Sequence, residues 1–323
     1  MTSRDQHYDV VIIGGGAAGL SGAVALARSR RSVLVVDAGQ PRNARADGVH
    51  NYLGREGTPP GELLALGRAE LAGYGGEVVS GVVTAARRED DGTFRVTLAD
   101  GREVSARRLL VATGLVDELP DLPGVAERWG RDVLHCPYCH GWEVRDRAIG
   151  ILATGPMSVH QALLFRQLSD DVTFFRHTGP ELADEEADQL AALGIRTVDG
   201  EVAGLEVTDD RLTGVRLVAG EVVLRAAVVV APRFTANADV LASLGLEATE
   251  QETRGHVVGS AVTADPTGAT AVPGVWVAGN VSDMSAQVVV SAAAGMRAGA
   301  MINADLVMED ARNAVAAQRG VAA

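Results

Sequence analysis

A glycine-rich turn near the N-terminus constrains the fold of this chain more than any other feature. An apolar run over residues 8–13 leads into the sequence GGGAAG, in which Gly14, Gly16 and Gly19 have the spacing GxGxxG. A helix-like stretch follows, and the next apolar run ends at Asp37. A strand, a glycine turn, a helix, a strand and an acidic residue in this order predict a dinucleotide-binding βαβ unit.

Each residue of this motif has a physical role in the prediction. Gly14 permits the tight turn, and Gly19 allows the helix to pack closely on the strand. Gly16 lets backbone N–H groups approach a pyrophosphate at the helix N-terminus. Asp37 can accept hydrogen bonds from a ribose diol. The motif therefore predicts which parts of a dinucleotide this end of the sheet would bind.

A second βαβ unit is predicted in the middle of the chain, with strands over residues 148–152 and 172–175 and a helix over 159–168. Its turn departs from the glycine motif, because Ala153 replaces the first glycine and Pro156 removes one backbone N–H. Two interpretations stay open. The unit is either a weakened nucleotide site or a fold half that supports the rest and binds nothing.

The end of the second strand of this unit bears on the same question. It leads into Arg176 and His177 rather than into an acidic residue. Basic side chains there could contact the 2′-phosphate of NADP, although two such residues make a small cluster. The sequence therefore leaves NADPH binding open.

The order of the predicted elements indicates how the two units are arranged. Strand meanders follow each βαβ unit, and a strand over residues 274–280 with a helix over 286–306 completes the pattern. This order predicts an α/β fold with two Rossmann-like domains of the three-layer ββα kind, the second inserted into the first. We predict that residues 1–117 and 240–323 form the first dinucleotide-binding domain. Residues 118–239 would form the inserted NAD(P)-type domain.

The only two cysteines, Cys136 and Cys139, lie in the sequence HCPYCH. Two thiols at this spacing can form a disulfide or exchange electrons with another dithiol. Pro137 suits the first position of a helix, which would place Cys136 at the helix N-cap and Cys139 in the first turn. The positive end of that helix would favour the thiolate of both cysteines. His135 and His140 flank the pair and could carry protons.

Three interpretations of this segment compete. Plain packing of two buried cysteines is disfavoured, because proline and histidine are unusual neighbours in a core. A metal site is disfavoured, because four ligands within so short a segment can hardly surround one ion and no second ligand pair appears in the sequence. We therefore predict a redox-active disulfide and no bound metal.

The charge and composition of the chain limit its partners. The chain has 323 residues and a net charge of −13, which argues against binding to nucleic acid or to anionic membrane surfaces. No apolar run reaches the ~18–20 residues that span a bilayer, and the N-terminus carries no signal-peptide pattern. Two cysteines in a chain of this size indicate a reducing compartment, so we predict a cytoplasmic protein.

These motifs, with ATG at residues 112–114 and GVWVAGNVSD at 274–283, resemble those of the low-molecular-weight thioredoxin reductases, the class II pyridine nucleotide-disulfide oxidoreductases. The resemblance covers nearly the whole chain in the same order. It implies that the first domain binds FAD and that the inserted domain carries both NADPH and the CxxC pair. It also implies a homodimer, and an inserted domain that rotates between flavin-facing and substrate-facing poses.

The same resemblance assigns roles to individual residues. Cys139 corresponds to the thiol nearest the flavin, and Cys136 to the outer thiol that attacks substrate. His140 stands where many members have an aspartate that handles protons, and an imidazole there could act as a general acid or base. The residues that the resemblance predicts to contact FAD are Gly14, Gly16, Ala18, Gly19, Asp37, Arg42, Asn51, Thr113, Gly114, Gly279, Asn280, Gln287 and Val288.

The chain also departs from the family pattern. Asn280 stands where the late motif normally has aspartate, and residues 153–158 replace a GxGxxA loop for NADPH. The family's basic cluster is reduced to Arg176 and His177. The sequence CxxCHG resembles the subgroup that oxidises dithiol natural products, such as gliotoxin and holomycin precursors, to cyclic disulfides. In that subgroup electrons pass through the CxxC pair to FAD and dioxygen, without NADPH.

The sequence therefore predicts a FAD-dependent thiol–disulfide oxidoreductase that oxidises a small-molecule dithiol with dioxygen as the acceptor. The alternative is an NADPH-dependent disulfide reductase of the thioredoxin reductase type, which would act on a thioredoxin-like protein or a small disulfide. Minor alternatives are a reductase driven by ferredoxin or a second flavin, and a FAD-binding redox sensor. The identity of the substrate and the physiological direction stay open at this stage.

Overall fold

The structure, a computed structural model, describes residues 7–320. Its first half is built around the N-terminal βαβ unit that the sequence predicts. The elements of this half are β1 (His7–Ile13), α1 (Ala17–Arg28), β2 (Val33–Asp37), α2 (Pro60–Gly73), β3 (Glu77–Ser80), β4 (Val83–Arg88), β5 (Phe94–Leu98), β6 (Glu103–Val111) and β7 (Leu115–Glu118).

Strand β6 is the centre of the first sheet. The order of the sheet is β3-β2-β1-β6-β5-β4, in which β3, β2, β1 and β6 are parallel, β5 pairs antiparallel with β6, and β4 pairs antiparallel with β5. Residues 10–13 of β1 and 33–36 of β2 are apolar and buried, as expected of a sheet that is covered on both faces. The carboxyl ends of β1 and β2 therefore deliver the glycine turn and Asp37 to the same edge.

The middle of the chain forms a second sheet of five parallel strands and a separate antiparallel meander. The strand order is β11-β10-β9-β15-β8, and the meander is β12-β13-β14. The elements are α3 (Val125–Arg128), β8 (Val133–Leu134), α4 (Pro137–His140), β9 (Ile149–Leu152), α5 (Ser158–Arg166), β10 (Val172–Phe175), α6 (Asp184–Ala192), β11 (Arg196–Val198), β12 (Val202–Thr208), β13 (Arg211–Leu217), β14 (Val222–Leu224) and β15 (Ala227–Val229).

The last part of the chain returns to the first sheet. Its elements are β16 (Arg233–Ala236), α7 (Asp239–Ala242), β17 (Ala248–Thr253), β18 (His256–Val262), β19 (Val275–Val277) and α8 (Val288–Gln318). Strand β19 pairs in parallel with the end of β6. Helix α8 packs on α1 so closely that a Cβ atom on Gly295 would lie 1.9 Å from the carbonyl oxygen of Ala18. Although α8 has 31 residues, no helix within residues 7–320 is both long and apolar enough to cross a bilayer.

Two neighbouring strands connect the first sheet with the middle of the chain. Strand β7 leaves the first sheet, β16 returns to it, and the two pair antiparallel with Glu118 opposite Arg233. Together with β17 and β18 they form a four-stranded sheet in the order β17-β18-β16-β7. The chain therefore enters and leaves the inserted region side by side. The domain limits at 117/118 and 239/240 stay a prediction.

The predicted fold class is confirmed, since two α/β units of the three-layer kind are present and one is inserted into the other. Several predicted elements differ in detail. Residues 77–85, which alternate as one predicted strand after the first βαβ unit, form two strands, β3 and β4, separated at Gly81 and Val82. The late helix begins at Val288 and continues well beyond Leu306. The hairpin of β17 and β18 was not predicted.

Candidate active site

A cavity of about 1340 Å³ lies between the two units. It is lined by the first glycine turn, by the turn of the second βαβ unit, by the connecting strands and by the CxxC segment. Ordinary ligand pockets have about 300–1,000 Å³. The cavity is therefore large enough for an extended ligand together with a second molecule near the cysteines.

The first glycine turn forms a cradle at one end of this cavity. Gly14 has φ +104°, and a Cβ atom on it would lie 2.4 Å from the carbonyl oxygen of Ala112. A Cβ atom on Gly19 would lie 1.9 Å from the carbonyl oxygen of Gly14. A Cβ atom on Gly16 would have no other atom within 4 Å. The turn therefore brings the N-terminus of α1 to the cavity and leaves room for a diphosphate there.

Asp37 closes this turn from the neighbouring strand. The backbone N–H of Gly15 donates a hydrogen bond to Asp37 Oδ1 at 3.0 Å. A Cβ atom on Gly15 would lie 2.6 Å from the carboxyl carbon, so only glycine lets the acid approach this closely. Asp37 also lines the cavity, where a ribose would lie. The cradle and the acid together fit the pyrophosphate and ribose of a dinucleotide such as FAD.

The structure brings most of the predicted site residues to one cavity. Two of them do not line it: Gly19 packs against the turn, and Asn51 donates a hydrogen bond from Nδ2 to the carbonyl oxygen of Tyr138 at 2.6 Å. Asn51 therefore contacts the CxxC segment rather than the cavity wall. The predicted residues that line the cavity are Gly14, Gly16, Ala18, Asp37, Arg42, Thr113, Gly114, Cys136, Cys139, His140, Gly279, Asn280, Gln287 and Val288.

The side-chain amide of Asn280 has a structural task that explains one departure from the family pattern. Its Nδ2 donates to the carbonyl oxygens of Asp283 and Ala286, each at 2.9 Å. Its Oδ1 accepts a hydrogen bond from Arg42 at 3.3 Å. A carboxylate has no N–H group to donate and would face two carbonyl oxygens. The turn after β19 is thus built around an amide.

Arg42 connects this turn with the connecting strands and the cysteines. Its Nε and Nη2 donate to both carboxylate oxygens of Asp117 at 2.8 and 2.6 Å. Its guanidinium carbon lies 5.2 Å from the centre of the Phe234 ring, within cation–π range. The ring of His135 meets Phe234 edge-on at 5.1 Å. Burial, with a smaller effect of Arg42, lowers the pKa of His135 to about 4, so this imidazole is neutral at physiological pH.

The CxxC segment adopts the helical turn that the sequence predicts. Helix α4 is a single turn, and Cys136 is its N-cap residue with φ −93° and ψ 121°. The backbone N–H groups of Cys139 and His140 both donate to the carbonyl oxygen of Cys136. The two cysteines are not joined by a disulfide in the structure, and their Sγ atoms lie 2.6 Å apart with Cys139 as the donor. The pair is therefore within reach of disulfide formation.

The two thiols differ in acidity. The hydrogen bond from Cys139 lowers the pKa of Cys136 to about 7, against the effect of burial and with help from the backbone N–H groups of Cys139 and Tyr138. The pKa of Cys139, an exposed residue, is raised mainly because its thiol donates a hydrogen bond to Cys136 Sγ, with further effects of desolvation and of the charge on Cys136. The prediction that helix α4 favours both thiolates is wrong for Cys139. One turn of helix supplies too little dipole to ionise two adjacent thiols.

This asymmetry leads to a prediction about alkylation. In the reduced protein, the rate at which iodoacetamide modifies Cys136 is expected to rise with pH through a midpoint near 7, because only the thiolate reacts. Cys139→Ala removes the donor and should shift the midpoint upwards, towards the ordinary value of 9.0. Cys139→Ser keeps a hydroxyl donor and should shift it less. Mass spectrometry of the labelled protein measures both, and an unchanged midpoint in Cys139→Ala would contradict this assignment.

His140 follows the pair directly and is partly buried. Burial lowers the pKa of His140, while the charges of Glu143 and Asp47 act in the opposite direction. The neutral imidazole is thus the dominant form near neutral pH, which lets it accept a proton from a thiol. Within residues 7–320, no group of three or more His, Cys, Asp or Glu side chains is placed to hold a metal ion.

The turn of the second βαβ unit differs from the first. The hydroxyl of Ser158 donates to the carbonyl oxygen of Gly155 at 2.9 Å and accepts from the N–H of Gly155 at 3.4 Å. Pro156 has no N–H group. Two backbone N–H groups that could bind a pyrophosphate are thus not available: that of Gly155 is used inside the turn, and Pro156 has none.

The two basic residues after β10 also have partners within the protein. Arg176 forms an ion pair with Asp199 at 3.2 Å. His177 Nδ1 accepts a hydrogen bond from the backbone N–H of Val202 at 3.0 Å, and burial lowers the pKa of its imidazole. A 2′-phosphate needs positive charge that is free to pair with it. The lowered pKa of His177 favours its neutral form, and the charge of Arg176 is already paired with Asp199.

Sequence reasoning missed part of the cavity wall. The β17–β18 hairpin contributes Gln251, Thr253 and His256, and Phe234 and Met284 lie on the same wall. The run HVVGSAV in β18 was the available signal, but its short length and central glycine made it ambiguous. The place of these residues on the cavity wall depends on how the strands of the connecting sheet pair, which the sequence pattern does not show.

The class of protein follows from these parts. A dinucleotide cradle and a pair of reducible cysteines share one cavity, which is the arrangement of a flavin-dependent thiol–disulfide oxidoreductase. The family model for pyridine nucleotide-disulphide oxidoreductases matches residues 8–304. The chain belongs to the pyridine nucleotide-disulphide oxidoreductase family, in its thioredoxin reductase-like branch, and FAD is the cofactor of this family.

Relatives of known structure and name agree with this assignment. HlmI, whose crystal structure is known, is 47% identical in sequence to this chain. The match covers 100% of this chain and 99% of the HlmI chain, with a TM-score of 0.90. An oxidoreductase from Agrobacterium tumefaciens is 34% identical over 94% of this chain and 99% of its own, with a TM-score of 0.86. Thioredoxin reductase aclD of Aspergillus oryzae is 31% identical over 84% of this chain and 88% of that protein.

A further relative matches over a shorter region. Thioredoxin reductase tcpT of Claviceps purpurea is 37% identical over 57% of this chain. The chain spans 60% of the length of tcpT.

Proposed function

We propose that this protein oxidises small-molecule dithiols to disulfides, with Cys136 and Cys139 as the redox pair and dioxygen as the final electron acceptor. The observation that carries the proposal is the contrast between the two glycine-type turns. Both turns line the cavity that holds the cysteines, but the second has no N–H at Pro156 and uses that of Gly155 within the turn. A route from substrate through the cysteines needs only the first.

The exchange at sulfur can be written with every electron assigned. A substrate thiolate attacks Cys136 Sγ of the oxidised pair, and the Cys136–Cys139 bond breaks with its electrons on Cys139. The second substrate thiolate then attacks the substrate sulfur of this mixed disulfide and releases Cys136. The substrate loses two electrons and two protons, and the cysteine pair gains the two electrons. When bound, FAD supplies a two-electron acceptor for the reduced pair.

The acidities of the two thiols suit these steps. Cys136, with its pKa lowered to about 7, is a good leaving group when product is released. Cys139 has a raised pKa and therefore leaves well only if it takes up a proton. Neutral His140 can accept the proton of the attacking substrate thiol and then give it to Cys139. We propose these three residues as the catalytic group.

Partners and setting belong to the same proposal. The substrate is a small dithiol, with a thioredoxin-like protein as the alternative. We also propose a homodimer in a reducing compartment such as the cytosol, in which Cys136 and Cys139 serve catalysis rather than stability.

Anaerobic titrations of the flavin absorbance band test the proposal. Dithiothreitol is expected to reduce the flavin of the purified holoenzyme, while NADPH leaves it oxidised. Under air the same dithiol should then drive oxygen uptake beyond that of a Cys136→Ser control. Reduction by NADPH and none by dithiol would favour the alternative, an NADPH-dependent disulfide reductase. That alternative draws support from Thr154, Gly155 and Met157, which line the same cavity.

A further inference from the structure

A histidine lies between two carboxylates where the first domain meets the CxxC segment. His50 Nδ1 lies 2.6 Å from Glu56 Oε1, and its Nε2 lies 3.5 Å from Glu143 Oε1. His50 and Glu56 belong to the first domain, whereas Glu143 follows the CxxC turn of the inserted one. The three side chains therefore form a continuous contact across the domain boundary.

The two carboxylates at the ends of this contact differ in environment. The Glu56 side chain is 68% exposed, whereas that of Glu143 is 35% exposed. Glu143 Oε2 is buried and has no hydrogen-bond partner among residues 7–320. A buried carboxylate oxygen without a donor is an unsatisfied hydrogen-bond acceptor. The line Glu143–His50–Glu56 thus leads from a buried acceptor oxygen to solvent.

The geometry of this contact is held by the backbone. Glu56 Oε2 accepts a hydrogen bond from the N–H of Asn51 at 2.9 Å. The side chain of Asn51 in turn binds the carbonyl oxygen of Tyr138, between the two cysteines. These bonds fix the loop that carries His50 against the CxxC turn, so the imidazole is preorganised between its two partners.

We propose that Glu143, His50 and Glu56 form a proton relay that carries thiol protons away from the CxxC site to solvent. The relay rests on the proposed dithiol oxidation, in which each substrate loses two protons. After giving the first substrate proton to Cys139, His140 accepts the second one, Glu143 takes it from His140, and His50 receives it at Nε2. His50 then releases its Nδ1 proton to Glu56, which passes it to water. Reduction of dioxygen to hydrogen peroxide takes two protons back from solvent, so the proton count closes.

Neighbouring groups act on the two ends of this relay, His140 and Glu56. The groups whose charges act on His140 are Glu143, Asp47 and His50. Hydrogen bonds from His50 and from the backbone of Asn51 lower the pKa of Glu56. A carboxyl group with a low pKa gives up its proton readily, which suits the last position before solvent. His140, Glu143 and Glu56 thus form a sequence of proton acceptors that ends at the surface.

The test is the anaerobic reduction of the holoenzyme flavin by dithiothreitol in a stopped-flow instrument, in ordinary and in deuterated water. Glu143→Gln and His50→Asn are expected to slow flavin reduction by about tenfold or more at pH 7, by analogy with losses on removing other outer-shell partners. Both should enlarge the solvent isotope effect, and added imidazole should restore part of the rate. Glu56→Gln should have a smaller effect in the same direction. Glu62→Gln, an exposed carboxylate outside the cavity lining, is the matched control.

The outcomes separate the relay from the function on which it rests. If dithiothreitol does not reduce the wild-type flavin, the proposed function fails. If wild type is reduced and Glu143→Gln shows the same rate, pH profile and isotope effect, the relay is wrong. A slower Glu143→Gln with an unchanged isotope effect and no rescue by imidazole indicates a structural role and also overturns the relay. His50→Asn and Glu56→Gln provide the same readouts if Glu143→Gln does not fold.

Discussion

Cys136→Ser is expected to abolish dithiol oxidation while leaving the flavin bound. Cys136 forms the mixed disulfide with substrate in the proposed exchange, and a serine hydroxyl cannot form a disulfide bond. Loss of a group that acts in covalent catalysis costs about a thousandfold or more in turnover. Oxygen uptake with a model dithiol measures the loss.

Two controls accompany this variant. The FAD content of purified Cys136→Ser should equal that of wild type, because Cys136 and the turn at Gly14 lie on different elements. Cys139→Ser should also be inactive, but its outer thiol can still attack a linear model disulfide and should keep one half of it as a mixed disulfide while the other half leaves as a thiol. Mass spectrometry detects this adduct on Cys136. Residual turnover above one tenth of wild type in Cys136→Ser would show that the flavin takes electrons from substrate directly.

Gly19→Ala is expected to cost the protein both its FAD and a large part of its stability. The added Cβ atom would lie 1.9 Å from the carbonyl oxygen of Gly14, which is backbone and cannot rotate away. Either the turn or helix α1 must move, and overpacking of this kind costs about 1–3 kcal/mol or more. Since the turn is also the pyrophosphate cradle, the displacement should expel FAD. Thermal unfolding and the flavin-to-protein absorbance ratio measure the two effects.

Gly155→Ala is the matched control for this substitution. Gly155 lies in the corresponding turn of the second βαβ unit, and an added Cβ atom there meets nothing within 4 Å. We expect unchanged FAD content and a nearly unchanged melting temperature. Equal loss of FAD in both variants would contradict the assignment of the first turn as the cofactor cradle.

The sequence predicts the parts of this protein that are local. The turn at Gly14, the acid at Asp37 and the one-turn helix at Cys136 each depend on residues a few positions apart, so spacing alone reveals them. The order of the two βαβ units then predicts the insertion, because parallel strands need such crossovers. Fold class and recognition of the family are accordingly confirmed.

Other features arise only from contacts between distant segments. The hairpin of β17 and β18 has weak strand signals, and its position depends on pairing with β16. The contact of His50 with Glu143 depends on how the two domains meet. The acidity of Cys139 depends on a hydrogen bond between neighbouring sulfurs, which a helix-dipole argument ignores. The residue roles predicted from the family resemblance stay predictions.

The antiparallel pair of β7 and β16 has a consequence for how such a protein could arise. Glu118 and Arg233 are direct partners in this pair. The inserted region therefore begins and ends at neighbouring positions of two antiparallel strands, where an ordinary hairpin would have its turn. A tight turn between them would restore an uninterrupted chain for the flavin module. A different module joined at this point would meet the host at two neighbouring strand ends, which makes the ribbon a natural exchange point for new substrate specificities.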